Sequence, residues 1–238
     1  MGRNGIAAAG RPRVAAILAG GEGRRMGGVA KESMLVDGSP MGPRLVAKLS
    51  TCFERVIVVT KNGRLYEGTG AMTVSDIVPG FGPLSGLHAA LSATIGTGSD
   101  RDRLWLSACD MPFFDERLVD LLAVSLDGAS DRARTDGSPE PLACLARYGT
   151  HFEPFHGIYS VRLLEPLEKL FEESRPNATP RDTAEEGDRV FKRPSFKDLF
   201  ARAPAAFVPE DEVRSISPDW GLFFNINTPA ELDRLGPT

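Results

Sequence analysis

The sequence predicts an α/β domain whose parallel sheet is covered by helices on both faces. Three observations carry that prediction. Short β-branched runs alternate with segments of helical periodicity through the first half of the chain, as βαβ units do. The strand-like runs are apolar throughout instead of alternating, as in strands buried on both faces. Glycines or an aspartate follow three of these runs directly, at the carboxyl ends of strands where such sheets bind ligands.

Taken in order, Val14–Leu18 (VAAIL) is a short apolar run that breaks into glycines and reads as a buried strand. Residues 40–53 predict a helix with Leu45, Val46 and Leu49 on one face. Residues 55–60 (RVIVVT) are dense in β-branched side chains and predict a second strand. Residues 72–74, ahead of Ser75 and Asp76, predict a third. Residues 83–93 (PLSGLHAALSA) follow as a helix, and residues 103–108 (RLWLSA) as a strand ending in Cys109 and Asp110. A helix over 115–126 carries apolar side chains at 118, 119, 121, 122 and 126.

The second half is less regular. Residues 128–140 (GASDRARTDGSPE) read as a turn-rich charged loop, 142–148 and 156–160 as strands, and 161–173 as an amphipathic helix despite Pro166. Residues 174–189 are polar, proline-bearing and without a large apolar side chain, the composition of a mobile loop. A late strand is expected at 223–226, followed by Thr228, Pro229 and Glu231 as the capping box of a terminal helix.

Composition narrows the function. The chain has 238 residues and a net charge of −4, from 28 Lys and Arg against 32 Asp and Glu. It therefore lacks the basic footprint of a nucleic-acid binder. No apolar run approaches the roughly 20 residues that cross a bilayer. Residues 1–12 have too short an apolar centre for a signal peptide and read as a flexible tail on a cytoplasmic protein. Cys52, Cys109 and Cys144 are far apart and odd in number, which favours reduced thiols over disulfides or a zinc site.

The segment 18–31 (LAGGEGRRMGGVAK) carries the chemistry. Five glycines after a buried strand let backbone N–H groups approach an anion. A P-loop would need Ser or Thr after Gly-Lys, but Lys31 lies between Ala30 and Glu32. The dinucleotide fingerprint would need glycine where Met26 stands. What remains is a loop with Arg24, Arg25 and Lys31 within eight residues of an otherwise acidic chain, suited to neutralising a triphosphate. Asp110, at a strand end on the same rim, suits Mg²⁺, which takes one or two carboxylates and completes its shell with phosphate oxygens. No Ser-His-Asp arrangement points to hydrolysis.

The pattern LAGG-x-G-x-R-M-GG-x-x-K resembles the loop of the molybdenum cofactor guanylyltransferases, within the nucleotidyltransferase superfamily. Residues 75–87 (SDIVPGFGPLSGL), 107–112 (SACDMP) and 224–232 (FNINTPAEL) are similar to three further segments of that family, in the same order. The resemblance implies a three-layer α/β/α, Rossmann-like fold with a mostly parallel sheet, as one nucleotidyltransferase domain over residues 13–236. It implies Mg²⁺-dependent transfer of guanylyl from GTP to molybdopterin with release of pyrophosphate. Leu18, Ala19, Gly20, Gly21 and Gly23 would hold the nucleotide with Asp76, Arg25 and Lys31 would meet the phosphates, and Asp110 would ligate the metal. Asn225 and Asn227 would lie on the pterin side. Molybdoenzymes or their chaperones are the implied protein partners.

Three departures stand out. Ala30 replaces the family's Asp before the lysine, Glu32 replaces an apolar residue after it, and Val59 and Thr60 stand where the second strand often ends in Asn. An acid beside Lys31 is expected to weaken its pull on phosphate. Alternatives are a cytidylyl or sugar-phosphate nucleotidyltransferase of the same superfamily, or a catalytically impaired nucleotide-binding escort of the cofactor. Gly20 and Gly21 favour guanine, because cytidylyl relatives usually read LAAG, with a side chain that blocks the larger base.

Overall fold

The computed structural model describes residues 10–20, 30–36, 38–95, 103–175, 193–226 and 231. In chain order these form β1 (Val14–Leu18), β2 (Leu35–Val36), β3 (Ser39–Pro40), α1 (Met41–Leu49), β4 (Arg55–Val59), β5 (Met72–Val74), α2 (Pro83–Thr94) and β6 (Arg103–Ala108). There follow α3 (Glu116–Asp136), β7 (Ala143–Tyr148), β8 (His151–Ser160), α4 (Leu164–Ser174), α5 (Phe196–Phe200), β9 (Ala205–Val208) and α6 (Glu210–Arg214). Seven strands make one sheet in the order β5-β4-β1-β6-β8-β7-β9. It is mostly parallel: β5, β4, β1 and β6 run together, as do β7 and β9, while β8 is antiparallel to both its neighbours.

Alternation along the central strands builds three layers. Ala15 and Ile17 of β1, with Val56, Val58 and Trp105, pack under α1 and α3. Val14 and Ala16, with Ile57, Leu104 and Leu106, pack under α2 and α4. Adjacent residues of one strand thus feed opposite cores, which is why these runs are apolar without a break. Each fully buried Leu or Ile contributes about 1.5–3 kcal/mol relative to exposure.

Several elements differ from the sequence reading. The helix expected to stop near residue 126 continues through the supposed loop to Asp136, where Gly137 closes it at φ 75°. Its inward stripe goes on as Ser130 and Ala133, both buried; small side chains carry the period there, and small residues read as turn. β8 begins at His151, five residues early, because a two-residue turn at Gly149 and Thr150 joins it directly to β7. The expected strand at 223–226 is a 3₁₀ turn over Gly221–Phe223 and an extended tail. The capping residues Thr228 and Pro229, most of the 174–189 loop and residues 1–9 lie outside the described residues. Residues 10–12 pack against α3: Arg103 reaches the Gly10 carbonyl and, at 2.7 Å, Asp127, and Arg11 pairs with Asp120 at 2.9 Å.

Gly128 tests the longer helix. A Cβ there would meet only Arg132 Nη1, at an ordinary 3.6 Å. Inside a helix Gly128→Ala stabilises by about 0.5–1 kcal/mol, readable as a higher denaturant midpoint at unchanged slope. An unchanged or lowered midpoint would return the segment to a loop.

Candidate active site

The central strands end level with one another. Leu18 pairs with Val59 on one side and Ala108 on the other. The ladder runs one residue further, with Ala19 N–H donating to the Val59 carbonyl at 2.9 Å and Cys109 N–H to the Leu18 carbonyl at 3.0 Å. The Leu18 carbonyl and Ala19 amide are therefore engaged within the sheet. Along Leu18, Ala19 and Gly20, Gly20 is the first residue to be exposed, and a Cβ on it would meet nothing within 4 Å. The Leu18 side chain is held by α2, where Gly86 allows close approach: a Cβ on it would lie 2.9 Å from Leu18 Cδ2.

Two candidates from opposite ends of the first half meet on this rim. Lys31 opens a 3₁₀ turn over Lys31–Ser33, and its Nζ donates to Asp110 Oδ2 at 2.7 Å. Both side chains remain about one-fifth exposed, at 23% and 21%, so solvent and ligand can reach the pair. The C-terminal segment completes it. Ile226 N–H donates to the Asp110 carbonyl at 2.8 Å. With its amide oriented by its partners, Asn225 Nδ2 donates to Asp110 Oδ1 and Oδ2 at 2.8 and 2.9 Å. Asn225, expected on the pterin side, thus faces the carboxylate itself.

Glu32 does not sit as an acid screening Lys31. It is 3% exposed and accepts from Thr60 Oγ1 at 3.1 and 2.9 Å and from Tyr66 Oη at 2.8 Å. Two of the departures seen in the sequence, Glu32 and Thr60, are therefore one interaction. Their joint occurrence was the signal that could have revealed it. Burial also pushes the neighbouring Cys109 thiol well above its usual pKa, so it is an inert core group.

Asp76 follows the edge strand β5, two strands from β1. Its carboxyl pKa is raised by desolvation, against the pull of Lys61. Asp76 therefore shares the rim at a distance from the Lys31–Asp110 pair. Gly21, Gly23, Arg25 and Asn227 lie outside the described residues.

A cleft of about 410 Å³ that the sequence reading missed is lined by Tyr148, Phe152, Glu153, Arg214, Trp220 and Phe223 among others, and its Glu153 lies within electrostatic reach of Asp110. The β7–β8 hairpin brings it here, since Leu106 pairs with Gly157 and residues 151–155 run on past the end of β6. The Arg214 guanidinium lies 5.9 Å from the Tyr148 ring and 5.8 Å from the Trp220 ring. Trp220 holds φ 59°, a strained backbone for a bulky residue. Neither segment has an apolar period, so nothing in the sequence aligned them.

A carboxylate, a cation and an amide on an open sheet edge can bind a metal with a polyphosphate. Among the described residues no three acidic, His or Cys side chains cluster as a metal cage. A cation at Asp110 would therefore complete its shell with substrate oxygens and water, as Mg²⁺ does. The donor set fits that ion. No helix among the described residues is long and apolar enough to cross a membrane.

A family model described as the MobA-like NTP transferase domain matches residues 15–189. A molybdenum cofactor guanylyltransferase of Syntrophotalea carbinolica is 29% identical over 220 residues, 92% of this chain and 89% of that protein. One of Desulfosudis oleivorans is 26% identical over 218 residues, 92% of this chain and 91% of its own length. The fold is similar to that of a molybdopterin-guanine dinucleotide biosynthesis protein A from Archaeoglobus fulgidus, with TM-score 0.64, 22% identity, and 93% and 95% of the two chains covered.

Two groups of β8, the half-buried Glu153 in the cleft and the buried His156 behind it, set a pH dependence. Burial raises Glu153 to about 7, with the Asp110 charge adding to it. Burial lowers His156 to about 4. Below pH 6.5 the neutral His156 makes the fold lose stability as pH falls. Glu153, protonated more readily folded than unfolded, makes stability fall as pH rises from about 4.5 to 7. The two slopes oppose each other between pH 4.5 and 6.5, and Glu153 acts alone just above. Glu153→Gln should therefore be more stable than the parent at pH 8 by about 1–3 kcal/mol and no more stable at pH 4.5, measured by urea unfolding. An equal difference at both pH values would mean that Glu153 ionises normally.

Proposed function

This chain belongs to the MobA-like NTP transferase domain family, and on that premise we propose that it transfers guanylyl from GTP to molybdopterin, releasing pyrophosphate. The observation that carries the reading is the 2.7 Å meeting of Lys31 and Asp110 at the level ends of β1 and β6, directly after a glycine loop. The names of the full-length relatives supply the base and the acceptor. One domain over residues 13–236 would carry the activity.

In the reaction a terminal phosphate oxygen of molybdopterin attacks the α-phosphorus of GTP. The bond to the bridging oxygen of the β-phosphate breaks, and pyrophosphate leaves with that electron pair. The nucleophile is ionised at neutral pH, so no general base is needed; positioning and charge neutralisation supply the acceleration. Mg²⁺ held by Asp110 would offset charge on the phosphate oxygens. Lys31 would leave Asp110 for the phosphates as the nucleotide arrives, and Asn225 would keep the freed carboxylate oriented. Gly20 would lie against the nucleoside. The cleft suits the acceptor: Tyr148 and Trp220 line it with aromatic surface for a planar pterin, and Arg214, packed over both rings and paired with Glu210 at 2.8 Å, would turn to the acceptor's phosphate. The alternative of an impaired escort leaned on Ala30 and Glu32, and Glu32 is turned inward.

Pyrophosphate release with each nucleoside triphosphate, Mg²⁺ and molybdopterin tests the reading, with GTP expected to exceed CTP and ATP. Turnover with CTP equal to that with GTP would move the chain to the cytidylyl branch. Gly20→Ala, which meets nothing in the structure, should leave stability within about 0.5 kcal/mol yet lower the GTP-to-CTP ratio of kcat/KM about tenfold or more.

The ion pair also predicts effects of opposite sign. Lys31→Ala should lower kcat/KM for GTP by about ten- to hundredfold while tightening Mn²⁺ binding without nucleotide, because the ammonium competes for Asp110. Asp110→Asn should abolish most turnover and the Mn²⁺ signal while the fold melts as before. Unchanged Mn²⁺ affinity in both variants would place the metal elsewhere.

A further inference from the structure

We infer that Glu32 is the positioning residue for Lys31, anchoring the end of the glycine loop through a buried carboxylate held by Thr60 and Tyr66. The inference rests on the reaction proposed above, in which Lys31 meets the nucleotide phosphates.

The anchor is dry and fully built. Glu32, Thr60 and Tyr66 are 3%, 4% and 2% exposed. The Thr60 hydroxyl donates to Glu32 and accepts from Asn62 N–H at 2.9 Å. The Thr60 backbone is itself locked, its N–H donating to the Val74 carbonyl at 2.9 Å. Tyr66 ends a 3₁₀ turn over Gly63–Tyr66 and donates its O–H from the other side. The loop end is thus tied to the rigid end of β4. The structure also reserves space for the phenol, because a Cβ on Gly42 of α1 would come within 2.2 Å of Tyr66 Oη. Cys109, the residue before Asp110, lies within electrostatic reach of both Tyr66 and Glu32, so the anchor sits beneath both members of the catalytic pair.

An apolar side chain at position 32 would fill the same core without the desolvation that a buried carboxylate carries. What it would lack is direction. Packing permits sliding, whereas charge-assisted hydrogen bonds hold an atom in one place. In a 3₁₀ turn, with three residues per turn, consecutive side chains point about 120° apart. With Glu32 pinned inward, Lys31 is aimed along the rim at Asp110. Three buried residues with no path to the substrate thereby set the reach of the one that touches it.

The test is a double-mutant cycle read by calorimetry with inorganic triphosphate and with Mg-GTP, alongside kcat/KM for pyrophosphate release, well below each variant's melting temperature. Glu32→Ala should weaken both ligands about tenfold. Glu32→Gln keeps an acceptor for the two hydroxyls and should stay within about threefold of the parent. In a Lys31→Ala background, Glu32→Ala should cause no further loss beyond about twofold, because it acts through the lysine. Multiplying losses would make Glu32 merely structural, unchanged triphosphate affinity in Glu32→Ala would remove its role, and tighter binding by Glu32→Gln would make it a screen on Lys31. Should Glu32→Ala fail to fold, Tyr66→Phe and Gly42→Ala displace the same hydroxyl, and each should weaken triphosphate only when Lys31 is present. If guanylyl transfer is absent but the triphosphate cycle behaves as described, the reaction is wrong and the anchor stands.

Discussion

The site depends on one constraint, the contact of a lysine and a carboxylate at 2.7 Å on the open end of the sheet. In the proposed reaction each group acts once the other is released: Lys31 would pair with Asp110 until a polyphosphate drew the ammonium away, and the carboxylate would then be open to a metal. The pair is partly exposed, so its own contribution to stability is small. In the proposed reaction its value would be to couple the arrival of anion and cation.

Everything around the pair serves to keep it in register. β1 supplies the level edge, and its ladder extends through Ala19 and Cys109, so that the glycine loop and Asp110 leave the sheet side by side. The 3₁₀ turn that begins at Lys31 is pinned below by Glu32. Asn225 and Ile226 grip Asp110 from a segment more than a hundred residues later. Four separate stretches of chain thus converge on two side chains, two of them from neighbouring strands of the sheet.

The two halves of the molecule have different tasks. The parallel half, β5 to β6, presents backbone and charge at strand ends, as nucleotide-binding sheets do. The second half reverses direction at β8, and that reversal carries the β7–β8 hairpin past the end of β6. The antiparallel turn builds one wall of the aromatic cleft, with Arg214 and Trp220 closing it from the segment after β9. Glu153 lines the cleft and lies within electrostatic reach of Asp110, and partial burial together with that charge raises its pKa.

What the sequence determined by itself was local. Apolar runs broken by glycine or aspartate marked β1, β4, β5 and β6 within a residue or so, because the central strands are buried on both faces and are therefore mostly apolar. The same punctuation marked Gly20, Lys31 and Asp110 as rim residues. α3 beyond Leu126 was hidden because small residues keep the helical period without raising hydrophobicity. Tertiary structure alone decided the rest. Glu32 and Thr60, Asp110 and Asn225, and Tyr148 and Trp220 are far apart in the chain and follow no shared period. Whether a charged side chain faces a ligand or a buried hydroxyl depends on what packs opposite it. Position 32 was legible only as an acid beside a lysine; the end of β4 and the phenol of Tyr66 turned that acid into an anchor.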